Sequence, residues 1–146
     1  MMKNLVTGAT GLVGSHLVEA LLLRGESVRA YARPTSHVAP LRKRGVEVHI
    51  GHLTDQASVV AAADGVDRIF HCAELARDWG PPIAFQQANV DGVRSVLGAA
   101  TRVGARFIFL STTHVYGFPG TSADEEVAPS PRGFGYSDSK IEAEAL

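Results

Sequence analysis

The sequence predicts an α/β fold in which a parallel β-sheet carries helices on both of its faces. Short apolar segments rich in β-branched residues alternate with helical patterns along the chain, which is typical of repeated strand–helix–strand units. Three glycines lie between the first strand and the first helix, where such a sheet needs a tight turn. The 146 residues suffice for one domain with a core and hardly for two, so we expect residues 1–146 to form a single domain.

Strands are predicted wherever a short apolar segment lies between turn residues. They are expected at Asn4–Thr7, Ser27–Ala32, Val46–Ile50, Arg68–Cys72 and Arg106–Ser111. Parallel strands joined through helices use right-handed crossovers, and the ligand crevice of such a sheet lies at the carboxyl ends of its strands. The expected strand order is therefore 3-2-1-4-5.

Helices are predicted from apolar stripes and from their end signals. The first helix, Leu12–Arg24, has an apolar stripe on one face and Gly25 directly after its end. The helix from Pro81 to Arg102 opens with two prolines, which suit a helix start. Further helices are expected at Leu41–Arg44, at Asp55–Ala63 and from Tyr136 onward. Because residues 141–146 are strong helix formers without a stop signal, we expect the chain to end inside this helix, before the last strands and a substrate domain.

The composition argues against several classes of function. A formal net charge of −1 gives no general attraction to nucleic acid or to an anionic membrane. No apolar run approaches the roughly 20 residues that a membrane span needs. The single cysteine, Cys72, forms no internal disulfide, and the histidines lack metal-ligand spacing. We therefore expect a cytoplasmic protein that has a small-molecule substrate and no metal.

Gly8, Gly11 and Gly14 form the pattern G-x-x-G-x-x-G between strand one and helix one. Glycine permits a tight turn, lets the backbone approach a pyrophosphate and lets the helix pack closely on the strand. Backbone N–H groups and the positive end of the helix dipole then bind the phosphates. The pattern predicts a dinucleotide site whose other members are Thr10, Leu12 and Val13. A tight turn without a ligand is the alternative.

The end of the second strand carries a cation where a carboxylate is common. An NAD enzyme usually offers an acid here to the ribose 2′-hydroxyl, but this chain has Tyr31-Ala32-Arg33. Arg33 suits charge-assisted hydrogen bonds to a 2′-phosphate. We therefore expect NADP as the preferred cofactor, with NAD as the alternative if Arg33 is only a solvated loop charge.

Tyr136 and Lys140 form a Y-x-x-x-K pattern, which places both side chains on one face of a helix. A tyrosine with an ordinary pKa of about 10 transfers protons poorly near neutrality. A lysine cation one turn away stabilises the phenolate and so lowers that pKa. The spacing alone is common by chance, but here it lies one loop after the fifth strand of a predicted dinucleotide-binding sheet.

Five motifs occur in the order found in the extended short-chain dehydrogenase/reductases, the NAD-dependent epimerase/dehydratase family, which the chain resembles over essentially its whole length. They are Thr7–Gly14, His71-Cys72-Ala73, Asn89–Gly92, Ser111–Gly117 and Tyr136–Lys140. Within the family, the sequence is most similar to dihydroflavonol reductases and 3-beta-hydroxysteroid dehydrogenases. The resemblance implies a Rossmann-type fold for the doubly wound parallel sheet.

The resemblance also assigns roles to individual residues. Tyr136 would be the general acid/base, Lys140 its electrostatic partner and a ribose ligand, and Thr112 the hydroxyl that orients the substrate oxygen, with Ser111 and Thr113 as alternatives. Further residues would lie along the cofactor, namely Cys72, Ala73, Leu75 and Asn89. The family often has Gly-Asp-Leu after strand three, where the aspartate meets adenine. This chain has Gly51-His52-Leu53, so His52 would replace that contact.

The expected reaction is reversible hydride transfer between nicotinamide and a secondary alcohol or ketone. A nucleotide-sugar epimerase with the same chemistry and a non-catalytic NADP-sensing or scaffold protein are the alternatives. A histidine such as His114, in a strand-end loop, is more often structural than catalytic. The resemblance also implies a homodimer, for which an apolar stripe of Val93, Val96, Leu97 and Ala100 is suited, although burial within the chain suits the stripe as well.

Overall fold

The computed structural model describes residues 1–118 and 122–146. The chain divides into two compact units. The first, called the sheet unit, comprises Met1–Glu74 and Ser95–Leu110. The second, called the tyrosine unit, comprises Leu75–Arg94 and Ser111–Leu146.

The sheet unit contains five parallel strands in the order β3-β2-β1-β4-β5. They are β1 Lys3–Thr7, β2 Ser27–Ala32, β3 Glu47–Ile50, β4 Arg68–His71 and β5 Arg106–Phe109. The central strand β1 pairs with β2 on one side and with β4 on the other, so Leu5 lies beside Arg29 and Ile69. This arrangement confirms the predicted fold class and strand order.

Strands β4 and β5 end earlier than predicted, because the parallel pairing between them stops at His71 and Phe109. It runs from Arg68 paired with Arg106 to His71 paired with Phe109. Cys72 and Ser111 therefore lie beyond the paired region, at the carboxyl edge of their strands.

The helices alternate with the strands as predicted. They are α1 Leu12–Leu23, α2 Ala39–Lys43, α3 Gln56–Ala63, α4 Pro82–Phe85, α5 Gly92–Val103 and α6 Gly135–Glu144. The long helix expected from Pro81 to Arg102 is interrupted by a π-helical segment, Gln86–Asp91. A short 3₁₀ helix, Thr113–Tyr116, follows β5. Helix α6 ends at Glu144 rather than continuing to the last residue, because the Ala145 and Leu146 N–H groups bond the carbonyls three residues before them, at 3.3 Å and 3.4 Å, in a turn tighter than an α-helix.

Two apolar clusters cover the two faces of the sheet. Successive residues of a strand point to opposite faces, so Leu5 belongs to one cluster and Val6 to the other. Helices α3 and α5 cover the first face, and α1 and α2 cover the second. Val96 and Ala100 lie in the first cluster, and Val93 is also buried. The apolar stripe of α5 is therefore used within the chain, and it gives no support to a homodimer interface.

Two further findings concern sites that the sequence argued against. No helix among the described residues is long and apolar enough to cross a membrane. In the same part of the chain, no three metal-binding side chains are grouped as a metal ion would require.

Candidate active site

The glycine turn between β1 and α1 has no room for larger side chains at two of its positions. Gly8 has a φ of +69°, and a Cβ there would lie 2.6 Å from the carbonyl carbon of Cys72. A Cβ on Gly14 would lie 2.2 Å from the carbonyl oxygen of Gly8. The turn closes with a hydrogen bond of 2.9 Å from the Gly11 N–H to the same oxygen. The glycines therefore let β1, α1 and the end of β4 approach one another closely.

The first turn of α1 presents apolar side chains to solvent next to free backbone donors. Leu12 is 79% exposed and Val13 is 50% exposed. No side chain caps the N–H groups of this helix end, and its first turn contains no acid. An uncapped helix N-terminus with positive dipole character attracts an anion.

A buried hydroxyl ties the ends of β1 and β4 together beside the glycine turn. The Thr7 Oγ1 accepts a hydrogen bond of 3.2 Å from the Ala73 N–H and lies 2.8 Å from His71 Nδ1. The His71 ring also stacks on Phe109 of the neighbouring strand. The positions of Cys72 and Ala73 are thus determined by contacts with β1. The sequence did not predict roles for Thr7 or His71, because neither contact leaves a local pattern.

The turns after β2 and β3 lie at adjacent strand ends. Arg33, directly after β2, is exposed, and its carbonyl accepts a hydrogen bond of 2.9 Å from the Ser36 N–H. His52 is exposed after β3, while its carbonyl accepts a hydrogen bond from the Tyr31 hydroxyl. Leu53 packs against the apolar cluster of α3 and α5.

In the tyrosine unit, Tyr136 and Lys140 lie one turn apart on α6, as the spacing predicts. Lys140 is only 1% exposed, and Tyr136 is half-buried. The His114 ring meets the Tyr136 ring edge-on, with 6.1 Å between their centroids. A lysine is almost never fully buried unless its charge is compensated, so this pair differs from a surface helix pair.

The hydroxyl groups after β5 have different partners. The Ser111 hydroxyl donates a hydrogen bond to the Glu144 carboxylate, at the end of α6. The Thr112 Oγ1 accepts one of 3.3 Å from the His114 N–H and so caps the 3₁₀ helix. Because the Thr112 oxygen is only the acceptor in this contact, its O–H remains a donor. The structure thus gives the Ser111 and Thr112 hydroxyls different hydrogen-bond roles.

Asn89 lies in the π-helical segment and is 1% exposed. Its side chain accepts a hydrogen bond of 2.7 Å from the Leu75 N–H and donates to the Leu75 carbonyl at 3.2 Å and to the Ser139 hydroxyl at 2.9 Å. These contacts join the segment after β4 to α6. π-Helical turns are frequent at functional sites, but no sequence signal indicated this one.

The entry to α6 is held by a carboxylate that the sequence analysis missed. Asp138 accepts hydrogen bonds of 3.0 Å and 2.8 Å from the N–H groups of Arg132 and Gly133. A cavity of about 640 Å³ lies next to this entry, in the tyrosine unit. Its lining includes Trp79, Phe85, Phe134 and Glu142.

Residues 4–146 match the NAD dependent epimerase/dehydratase family. The chain belongs to this family. The resemblance seen in the sequence motifs is thereby confirmed, and the family is one of NAD-dependent enzymes.

The matching relatives include reductases, hydroxysteroid dehydrogenases and UDP-glucuronic acid decarboxylases. The chain is 39% identical to 2-alkyl-3-oxoalkanoate reductase of Stenotrophomonas maltophilia, over 85% of this chain and 39% of that protein. It is 34% identical to 3 beta-hydroxysteroid dehydrogenase/Delta 5-->4-isomerase of Mycobacterium tuberculosis, over 97% of this chain and 41% of that one. Among solved structures, the Bordetella bronchiseptica enzyme WbmG in complex with NAD and UDP is 27% identical, with a TM-score of 0.85 over 99% of this chain and 48% of that one. The chain spans less than half the length of each of these proteins.

Proposed function

We propose that this chain is the cofactor-binding and proton-transferring part of an NAD(P)-dependent oxidoreductase that interconverts a secondary alcohol and a ketone. The observation that carries the proposal is the Tyr136–Lys140 pair on α6, with its lysine fully buried. The names of two relatives, an oxoalkanoate reductase and a hydroxysteroid dehydrogenase, support it. In this proposal residues 1–146 act as one dinucleotide-binding domain of a cytoplasmic enzyme.

The sheet unit would hold the pyrophosphate of the dinucleotide. The residues fit this group, because Gly8 and Gly14 let β1, α1 and the end of β4 pack closely at the turn, and the N-cap residue Gly11 makes no side-chain cap. The exposed side chains of Leu12 and Val13 would be covered by the ligand, and Thr10 would lie beside it. Ala73, which Thr7 holds in place, would line the site next to Cys72. For the tyrosine unit, Leu75 and Asn89 stay proposed as cofactor contacts on the resemblance to the family.

The proton would move through the tyrosine unit. When bound, the nicotinamide ring supplies or accepts the hydride. Tyr136 would give its hydroxyl proton to the substrate oxygen during reduction and take it back during oxidation. The Lys140 ammonium would favour the phenolate form of Tyr136 and would also donate a hydrogen bond to the cofactor ribose. Thr112, whose O–H remains a donor, would orient the substrate oxygen.

A Tyr136→Phe variant tests the acid/base role. We expect kcat to fall by about 100-fold or more, because general acid catalysis contributes about that much, while the Kd for the cofactor stays within about twofold. Tyr116→Phe, which removes a hydroxyl from the 3₁₀ helix nearby, is the matched control. NADPH oxidation is followed with a 2-alkyl-3-oxoalkanoate and, in reverse, NADP reduction with a 3β-hydroxysteroid. Nearly full activity of Tyr136→Phe would show that the proposed role is wrong.

Measuring the turnover of each class of substrate separates the alternative functions. A nucleotide-sugar epimerase is favoured by the likeness to WbmG, whose structure contains NAD and UDP. It would interconvert UDP-sugars without net oxidation or reduction of free cofactor. A sensor or scaffold would bind the dinucleotide but turn over neither class of substrate.

We further propose a preference for NADP over NAD. The exposed Arg33 after β2, where no carboxylate repels a phosphate, supports it. Arg33→Ala should weaken NADPH binding by about tenfold and NADH binding by less than about twofold. Arg42→Ala, on the exposed surface of α2, is the control for the loss of a positive charge. Equal affinities of the unmodified protein for NADPH and NADH would end this proposal.

A further inference from the structure

A hydrogen-bonded network of four polar groups connects β3 to the turn that follows it. The His49 Nε2 lies 3.2 Å from the Ser58 Oγ, and the Ser58 Oγ lies 2.9 Å from the Tyr31 hydroxyl. That hydroxyl lies 3.0 Å from the carbonyl oxygen of His52. The rings of Tyr31 and His49, which are partners in adjacent strands, stack with centroids 5.5 Å apart.

One direction in this network follows from its last member. A carbonyl oxygen only accepts, so the Tyr31 O–H donates to His52. The same hydroxyl is hydrogen-bonded to the Ser58 Oγ, which in turn lies within hydrogen-bond distance of the His49 Nε2. The Tyr31 hydroxyl therefore links the carbonyl of the turn to Ser58 on α3.

We propose that Tyr31 is a positioning residue for the adenine end of the dinucleotide site. Through its hydroxyl it holds the His52 carbonyl and so determines the shape of the Gly51-His52-Leu53 turn. This inference rests on the proposed cofactor site of the sheet unit.

The place of the turn in the sheet indicates why it would meet the adenine half. In a doubly wound sheet the ligand lies at the carboxyl ends of the strands, and the adenosine ribose lies at the end of the second strand. Strand β3 pairs with β2, and the Gly51 N–H donates a hydrogen bond of 3.0 Å to the Ala32 carbonyl at the end of β2. The turn after β3 is therefore the neighbour of the position expected for the ribose.

The turn is closely packed against Tyr31 and Ser58. A Cβ on Gly51 would lie 2.3 Å from the Tyr31 hydroxyl oxygen and 2.4 Å from the Ser58 Oγ. Leu53 anchors the other side of the turn in the apolar cluster. Tyr31 itself is 3% exposed, and this burial raises its pKa above the ordinary value, so that it keeps its proton at neutral pH. The exposed His52 side chain is thus carried on a turn held from both sides.

The test measures the binding of the adenine half of the dinucleotide separately from catalysis. ADP-ribose, which contains the adenine half and both phosphates but no nicotinamide, is titrated by calorimetry into the full chain and its variants. Tyr31→Phe, which keeps the ring and removes the hydroxyl, should weaken ADP-ribose binding by about fivefold, as expected for one neutral hydrogen bond. In turnover assays it should raise the KM for the dinucleotide by a similar factor and leave kcat unchanged.

Ser58 provides a second variant and a rescue. Ser58→Ala interrupts the hydrogen-bonded network from the other side and should weaken ADP-ribose binding. Ser58→Thr retains the hydroxyl and should restore the binding. The inference is overturned if Tyr31→Phe and Ser58→Ala bind ADP-ribose as the unmodified protein does. It is also overturned if they lower kcat at saturating cofactor, or if Ser58→Thr binds no better than Ser58→Ala. If the unmodified protein binds no ADP-ribose, the proposed function itself fails, which is a distinguishable result.

Discussion

Replacing Gly14 with alanine measures how tightly the glycine turn is packed. In an open helix position, a change from glycine to alanine stabilises a protein by about 1 kcal/mol, because alanine has the better helix propensity. At Gly14 the added Cβ would lie 2.2 Å from the carbonyl oxygen of Gly8, 2.7 Å from its carbonyl carbon and 3.0 Å from the Cα of Ala9. These are backbone atoms, which have no alternative rotamer.

The gain in helix propensity and the cost of the close contact have opposite signs, and the cost of the contact is the larger. Forcing a methyl group into a packed site costs about 1–3 kcal/mol, and the close contact with backbone atoms argues for the upper part of that range. After subtracting the gain in helix propensity, we expect Gly14→Ala to lower the free energy of unfolding by about 1–2 kcal/mol. The shift of the turn should also weaken dinucleotide binding by about tenfold or more, because the donors on the turn move with it.

Gly98 provides a matched control. It also lies within a helix, α5, but a Cβ there would meet only the Gln56 Nε2 at 3.5 Å, an ordinary contact with a flexible side chain. Gly98→Ala should therefore raise the melting temperature by about 2–4 °C, whereas Gly14→Ala should lower it by a comparable or larger amount. Calorimetric melting and a titration with NADPH measure the two effects. If Gly14→Ala melts no lower than the unmodified protein and binds NADPH as well, the turn is not packed as described.

Two further predictions concern the stability of the sheet unit. The side-chain hydrogen bond from Asn4, together with Arg68 nearby, lowers the pKa of Glu26 in the folded protein. The stabilisation by this carboxylate is therefore complete above the unfolded pKa of about 4.3 and is lost as the pH falls through the lower folded value. Glu26→Gln should unfold at a lower urea concentration than the unmodified protein near pH 7, and this difference should shrink as the pH falls below about 4; a difference independent of pH would contradict this. Arg29 donates hydrogen bonds to two carbonyls at the end of α3, at 2.5 Å and 2.9 Å. Arg29→Met should therefore lower the free energy of unfolding by about 2–3 kcal/mol. An unchanged urea midpoint would show that these bonds contribute little.

Most of the fold prediction depended on local sequence patterns. The strands and the helices α1, α3 and α6 follow from periodicity and from glycine signals, which act over a few residues, and the strand order follows from the handedness rule for crossovers between parallel strands. The errors occur where tertiary contacts override that periodicity. The predicted helix of residues 81–102 contains a π-helical segment, and in it Asn89 makes hydrogen bonds to Leu75 and Ser139. Such partners, 14 and 50 residues away in sequence, leave no trace in a local pattern.

By itself, the sequence determined the glycine turn and the shared helical face of Tyr136 and Lys140, because both depend on residue type and short spacing. It also determined the order of the sheet, because the strand–helix alternation and the handedness of crossovers restrict the topology. Only the tertiary structure decided that Lys140 is buried, that Glu144 engages the Ser111 hydroxyl while the Thr112 O–H remains a donor, and that Tyr31 holds the His52 carbonyl. The physical reason is distance along the chain. Burial and many hydrogen-bond partnerships are properties of groups that meet only when segments distant in sequence pack together, as do Tyr31 with His52, 21 residues apart, and Ser111 with Glu144, 33 residues apart.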